Sequence, residues 1–193
     1  LRHQLFKARI WQTRLVFWGG ATLVGVVAAI FALLSDYADA TFRQIIAYNE
    51  YLPLIITPLG LLATMAITRN LFPGAEGSGV PQSLASIKDR SRSLAERFLT
   101  FRIAIGKILL CIGGLFCGAS VGRVGPTVHI GAAIMYSLGK YMHFRQQYVL
   151  NGLIMAGGGA GLAAAFNMAI AGIMFGFQLL VLRRRVPHLG QVL

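Results

Sequence analysis

The chain has 193 residues, of which 56% are hydrophobic and 12% charged, against about 45–50% and about 25% in soluble domains. So few charges cannot cover a water-soluble protein of this size, and so much apolar sequence excludes a disordered chain. The net charge is +12, but no basic stripe on a polar face accompanies it, so a lipid bilayer rather than nucleic acid is the expected partner.

The first 14 residues carry Arg2, Lys7, Arg9 and Arg14, and form a basic N-terminal segment expected in the cytoplasm. After it, 21 uncharged residues separate Arg14 from Asp36, enough for the roughly 20 that a helix needs to cross a bilayer. Asp36, Asp39 and Glu50 follow. The asymmetry assigns the N-terminus to the cytoplasmic side of a multi-pass protein of the cell (inner) membrane. The run is too long for a signal peptide and continues into further spans. Tyr51–Thr68, with Pro53 and Pro58 near its start, returns the chain. The stretch 69–107 is polar and basic and reads as a cytoplasmic connection. All six acids precede residue 97, and nine Lys or Arg follow without a carboxylate, a field that favours anions.

Ile108–Gly122 and Val124–Gly139 are uncharged runs of 15 and 16 residues, each short for a crossing. The next 37 uncharged residues, 146–182, would make about 55 Å of helix, too long for one span. Gly157-Gly158-Gly159 and Asn167 interrupt it, and two helices with a junction near Phe166-Asn167 are predicted. Short and interrupted spans point to broken helices lining a polar cavity. Gly114, Gly118 and Gly122, and again Gly157 and Gly161, have the four-residue spacing that lets membrane helices approach closely. Cys111 and Cys117 are too far apart on one helix to form a disulfide. A basic tail, 183–193, ends the membrane domain of 15–182.

Two pentapeptides, Gly77-Ser78-Gly79-Val80-Pro81 and Gly122-Arg123-Val124-Gly125-Pro126, each place a proline four residues after a glycine, ahead of apolar sequence. Proline suits the first turn of a helix. A helix that begins within the membrane points free N–H groups and about half a positive charge forward, which makes an anion site without a cationic side chain. The Ser78 hydroxyl adds a donor. Arg123 is either an interfacial anchor or an attractor of anions. Nothing in the chain has the pattern of a nucleophile with its base, a metal site or a nucleotide loop, so neither an enzyme nor a cofactor is expected.

These segments, GSGVPQ, GRVGPTVHIG and GLAAAFNMAIAGIMFGFQ, resemble in order and spacing the GSGIP, G(K/R)EGP and AAFNxPxAGxLF(x)xEE motifs of the CLC chloride channels and transporters. The resemblance implies an all-α membrane protein, a bundle of tilted and broken helices that forms a homodimer with one chloride pathway per subunit. This chain would be the first of two inverted repeats. The family's GxFxP loop and anion-binding tyrosine belong to the second repeat. It implies that Ser78 coordinates the anion, that Gly77, Gly79, Val80 and Pro81 form the bend that starts its helix, and that Gly122, Arg123, Val124, Gly125 and Pro126 frame a second helix start. Phe166 and Asn167 would begin a later short helix facing the dimer partner.

The departures matter for mechanism. Val124 stands at the gate position, where the family usually has a glutamate. Gln178 and Leu179 replace the cytoplasmic glutamate pair, and Ala169 replaces a proline. Proton coupling needs titratable groups along a relay. Between residues 97 and 182 the remaining candidates are His129 and His143, and His129 reads as a packed histidine. The expected function is passive chloride transport without proton coupling, this chain giving half of the pore. The alternative is a non-conducting CLC half that acts only as an assembly or dimerisation unit.

Overall fold

The computed structural model describes residues 2–88, 93–144 and 146–185. They form eight helices and, among the described residues, no strand: α1 (Arg2–Tyr48), α2 (Leu52–Leu71), α3 (Val80–Lys88), α4 (Ser93–Phe98), α5 (Phe101–Phe116), α6 (Val124–Tyr141), α7 (Gln147–Phe166) and α8 (Ala169–Arg185). Three stretches are long and apolar enough to cross a membrane, Thr13–Tyr48, Leu52–Leu71 and Gln147–Phe166. The all-α membrane architecture expected from the sequence is what the chain adopts.

The helix α1 does not stop at Asp36 but runs on to Tyr48, 47 residues in all. The reason is a continuous buried stripe. Gly20, Val24, Ala28, Phe31, Ser35 and Ala38 recur every three or four residues and are all buried, the spacing of one helix face. Asp36 and Asp39 lie off that stripe, so the acids do not end the helix. Ser35 meets its burial by donating to the Phe31 carbonyl at 2.7 Å. The second span, α2, accommodates Pro58 in its interior and has no buried residue. Its Leu54, Ile55, Leu59 and Leu62 are exposed, as a helix bordered by lipid would be.

At the centre, α6 is buried continuously from Pro126 to Tyr136. Its closest partner is α7, followed in turn by α8 against α7. Lipid tails are as apolar as leucine, so close packing rather than exclusion of water holds such helices together. Here glycines make it possible: a β-carbon on Gly131 would strike the Gly157 carbonyl, and one on Gly161 the Thr127 carbonyl. The Gly157–Gly159 run therefore does not break α7. The break is at Asn167, which takes the left-handed conformation (φ 53°, ψ 36°) and caps α7, a conformation asparagine tolerates better than most residues. Phe166 ends α7 rather than beginning the next helix, and α8 starts at Ala169. The Gly114–Gly118–Gly122 series is not one helical face either, because α5 ends at Phe116 and Gly118 lies in the following turn with φ +82°.

The segment 69–107 is more structured than a connection. It contains the end of α2, all of α3 and α4, and the first turns of α5. Its Ser83, Ser86 and Ile87 are buried, and Asn151 of α7 donates to the Ile87 carbonyl at 3.2 Å, which satisfies the end of α3.

Candidate functional site

The turn before α3 is made by two glycines with positive φ, Gly77 at +70° and Gly79 at +95°, a backbone that side-chain-bearing residues avoid. Gly79 is the residue before the helix: its carbonyl accepts from the Ser83 amide at 3.0 Å and the Ser83 hydroxyl at 2.9 Å. Pro81 sits in the first turn, where its missing N–H is no loss. Among the described residues the N–H groups of Val80 and Gln82 have no partner within the chain. Ser78 itself is exposed, while Gly79 is buried. The turn thus presents a hydroxyl and a helix start on an open face.

The second pentapeptide reaches the same place by a different route. Neither Gly122 nor Gly125 has positive φ. Instead, Gly125 makes room: a β-carbon there would fall 2.6 Å from the Ser78 carbonyl oxygen and 3.0 Å from the Ser78 β-carbon. Ser78 therefore lies directly on Gly125, and the two motifs, 47 positions apart in sequence, form one site. Arg123 precedes α6 and accepts from the Thr127 amide at 3.1 Å. Val124 and Gly125 open the helix half-buried, and Pro126 is fully buried. The Arg123 guanidinium reaches back to the first helix. It pairs with Asp36 of α1 at 2.6 Å.

Under the turn lies a polar cluster that the sequence did not disclose. Lys107 of α5 is 2% exposed. Its Nζ donates to the Gly77 carbonyl at 2.8 Å and to that of Glu76 at 3.3 Å, and Gln82 Nε2 donates to Glu76 at 2.7 Å. His129 of α6 is 1% exposed, and its Nε2 bonds the Phe98 carbonyl at 2.9 Å. Its ring packs against Gly79, where a β-carbon would strike it. Buried, bonded through Nε2 and packed on a glycine, His129 has the surroundings of the packed histidine expected. Lys107 was hidden because it closes a basic run and was grouped with it. The signal was its other side: it stands alone within Ile103–Ile112, an otherwise uncharged run, and an ionisable residue inside such a span marks function by default.

The positions of the missing carboxylates diverge on α8. Leu179 is 2% exposed and packed in the core, whereas Gln178 is exposed.

A sequence profile of the family described as "Voltage gated chloride channel" matches residues 59–193. Chloride channel protein 1 of Canis lupus familiaris is 26% identical over 177 residues, covering 83% of this chain and 18% of that protein. The H(+)/Cl(-) exchange transporter ClcA of Vibrio parahaemolyticus is 29% identical over 161 residues, covering 80% of this chain and 33% of that protein. The chain therefore spans a minor part of the length of both relatives. No solved structure matches it.

Proposed function

This chain belongs to the voltage gated chloride channel family, and on that premise we propose that it supplies half of a passive chloride pathway in a membrane. The observation that carries the reading is the meeting of the two helix starts at Ser78 and Gly125, with the Val80 and Gln82 N–H groups, among the described residues, left unpaired on an open turn. Donors held in place without a full charge beside the ion attract an anion and still let it leave. Ser78, Gly79, Val80 and Pro81 form the inner part of the site, and Gly122, Val124, Gly125 and Pro126 the outer start. The residues argue for a channel rather than an exchanger. Val124 has no proton to give, and Leu179 sits in the apolar core where a relay would need a carboxylate.

The pathway works in a homodimer. An open apolar groove of about 570 Å³ between α7 and α8, lined by Gly152, Gly159, Ala163, Gly172 and Gly176 among others, supports pairing by small-residue contact. Purified protein reconstituted in vesicles under an outward chloride gradient should release chloride without driving proton uptake. Proton uptake against its own gradient would overturn the uncoupled reading. Chemical cross-linking that recovers dimers with no anion flux would favour a unit of assembly alone.

A further inference from the structure

The start of α5 and the end of α6 lie side by side, and an open cavity of about 420 Å³ separates them, lined by no residue of the two glycine-rich turns. Its polar wall carries one acid and one base, Glu96 of α4 and Lys140 of α6, with Thr100 and Ser137 beside them. The carboxylate and the ammonium meet at 3.0 Å, and both side chains are more than half exposed, Lys140 at 62% and Glu96 at 54%. A pair so exposed contributes only about 0–1 kcal/mol and yields readily to a competing partner. Their bond engages one carboxylate oxygen, Oε1, whereas a carboxylate offers about four acceptor sites and an ammonium three donors. The other wall is aromatic: Phe101 and Tyr141 line it and are exposed, and tyrosine favours the membrane–water boundary. A second observation leads away from the cavity. Along α5, Phe101, Ile105 and Leu109 are exposed at four-residue spacing, while Ile103, Ala104 and Gly106 are buried. This apolar stripe starts at the cavity and runs about 12 Å at 1.5 Å per residue, close to the roughly 15 Å of hydrocarbon in one leaflet. A cavity with both charges at the head of an apolar track has the form of a zwitterionic phospholipid. A headgroup with a net negative charge would leave Glu96 facing an anion, and a choline has no N–H to donate to it. A primary ammonium beside a phosphate complements both residues.

We propose that this cavity binds the headgroup of phosphatidylethanolamine: the lipid ammonium bonds to Glu96, its phosphate to Lys140, and one acyl chain lies along Phe101, Ile105 and Leu109. The site is separate from the anion site and needs only that the helices sit in a bilayer. The test uses the purified full chain in detergent, stripped of lipid and titrated with phosphatidylethanolamine, phosphatidylcholine and phosphatidylglycerol of the same acyl chains. Native mass spectrometry counts the bound lipid. Phosphatidylethanolamine should bind at least about tenfold more tightly than the other two. Glu96→Gln should weaken it by about tenfold and leave phosphatidylglycerol unchanged or tighter. Lys140→Gln should weaken phosphatidylethanolamine and phosphatidylglycerol alike. Ile105→Ser, on the exposed stripe, should weaken the whole lipid but not glycerophosphoethanolamine, which has the headgroup without the chains. Equal retention of the three lipids by the unaltered chain, or the same ranking in Glu96→Gln, would reduce the bound lipid to a nonspecific coat and overturn the proposal. So would a preference for phosphatidylglycerol, which would mark a site for anionic lipid. Glycerophosphoethanolamine binding as tightly as the whole lipid would remove the acyl track and with it the lipid as the ligand.

Discussion

Val124 opens α6 half-buried, one residue after Arg123 and one before the glycine on which Ser78 rests. A glutamate there would place a carboxylate at the helix start proposed to attract the permeating ion. At about 4 Å and an effective dielectric near 20, two such charges repel by about 4 kcal/mol, an upper guide to the competition. Valine has neither charge nor acceptor. In a conducting assembly that contains this chain, Val124→Glu should reduce chloride flux at neutral pH, and acid should restore it by neutralising the new side chain. Flux from vesicles between pH 4 and pH 8 measures this, and identical profiles for the two proteins would remove Val124 from the pathway. The neighbouring ion pair gives a contrasting case. Arg123 and Asp36 meet at 2.6 Å, but their side chains are 38% and 64% exposed, and exposed pairs contribute only about 0–1 kcal/mol. Asp36→Asn should therefore shift unfolding in denaturant by less than about 1 kcal/mol. It should nevertheless raise chloride flux at low ionic strength, because the freed guanidinium lies at the site's rim and salt screens its attraction.

Between elements, the seam of α6 and α7 depends on what glycine omits. A β-carbon on Gly157 would meet the Gly131 carbonyl, and backbone yields less readily than a side chain, so Gly157→Ala should cost at least the roughly 1–3 kcal/mol of ordinary overpacking. Gly25 of α1 has nothing within 4 Å of its β position. Gly25→Ala should be neutral or gain up to about 1 kcal/mol of helix propensity. Melting of the two variants in detergent compares them, and equal losses would show that the seam does not set stability. These elements also mark what could be read from the sequence. The division of 146–182 into α7 and α8 was legible because Asn167 is a local signal, a residue suited to a left-handed cap. The glycine run before it was misleading, since the same residue type that breaks a helix alone lets two helices touch. The length of α1 was hidden for a related reason: charge counting takes Asp36 as an end, whereas the stripe from Gly20 to Ala38 passes beside the acid. Of the site, both turns were legible as helix starts. Their contact was not, because a Ser78–Gly125 approach is set by how α3 docks on α6. Lys107 was missed because its partners are carbonyls 30 and 31 residues away.

Across the whole molecule, charge and length together constrain how the helices thread a bilayer. At 1.5 Å per residue, the 47 residues of α1 make a rod of about 70 Å, more than twice the 30 Å hydrocarbon core. Both of its ends therefore clear the membrane unless the helix lies steeply tilted. The basic residues Arg2, Lys7, Arg9 and Arg14 gather at one end, and Asp36, Asp39 and Glu50 toward the other. On the bias of basic residues toward the cytoplasm, Tyr48 is expected outside. From there the 20 residues of α2 suffice for one crossing, and Arg69 in its last turn is followed by Lys88, Arg97 and Arg102. On the same bias, α3 and α4 are expected on the side of the N-terminus. Tyr48 is 88% exposed and Ser93, at the start of α4, is also exposed, so both positions suit labelling. In a chain with Cys111 and Cys117 replaced by alanine, Tyr48→Cys should react with a membrane-impermeant maleimide added outside intact cells. Ser93→Cys should react only after the membrane is opened. Reaction of both from the same side would mean that α1 and α2 do not form two successive crossings, and the Ser78 turn would then face the opposite compartment from the one its basic surroundings indicate.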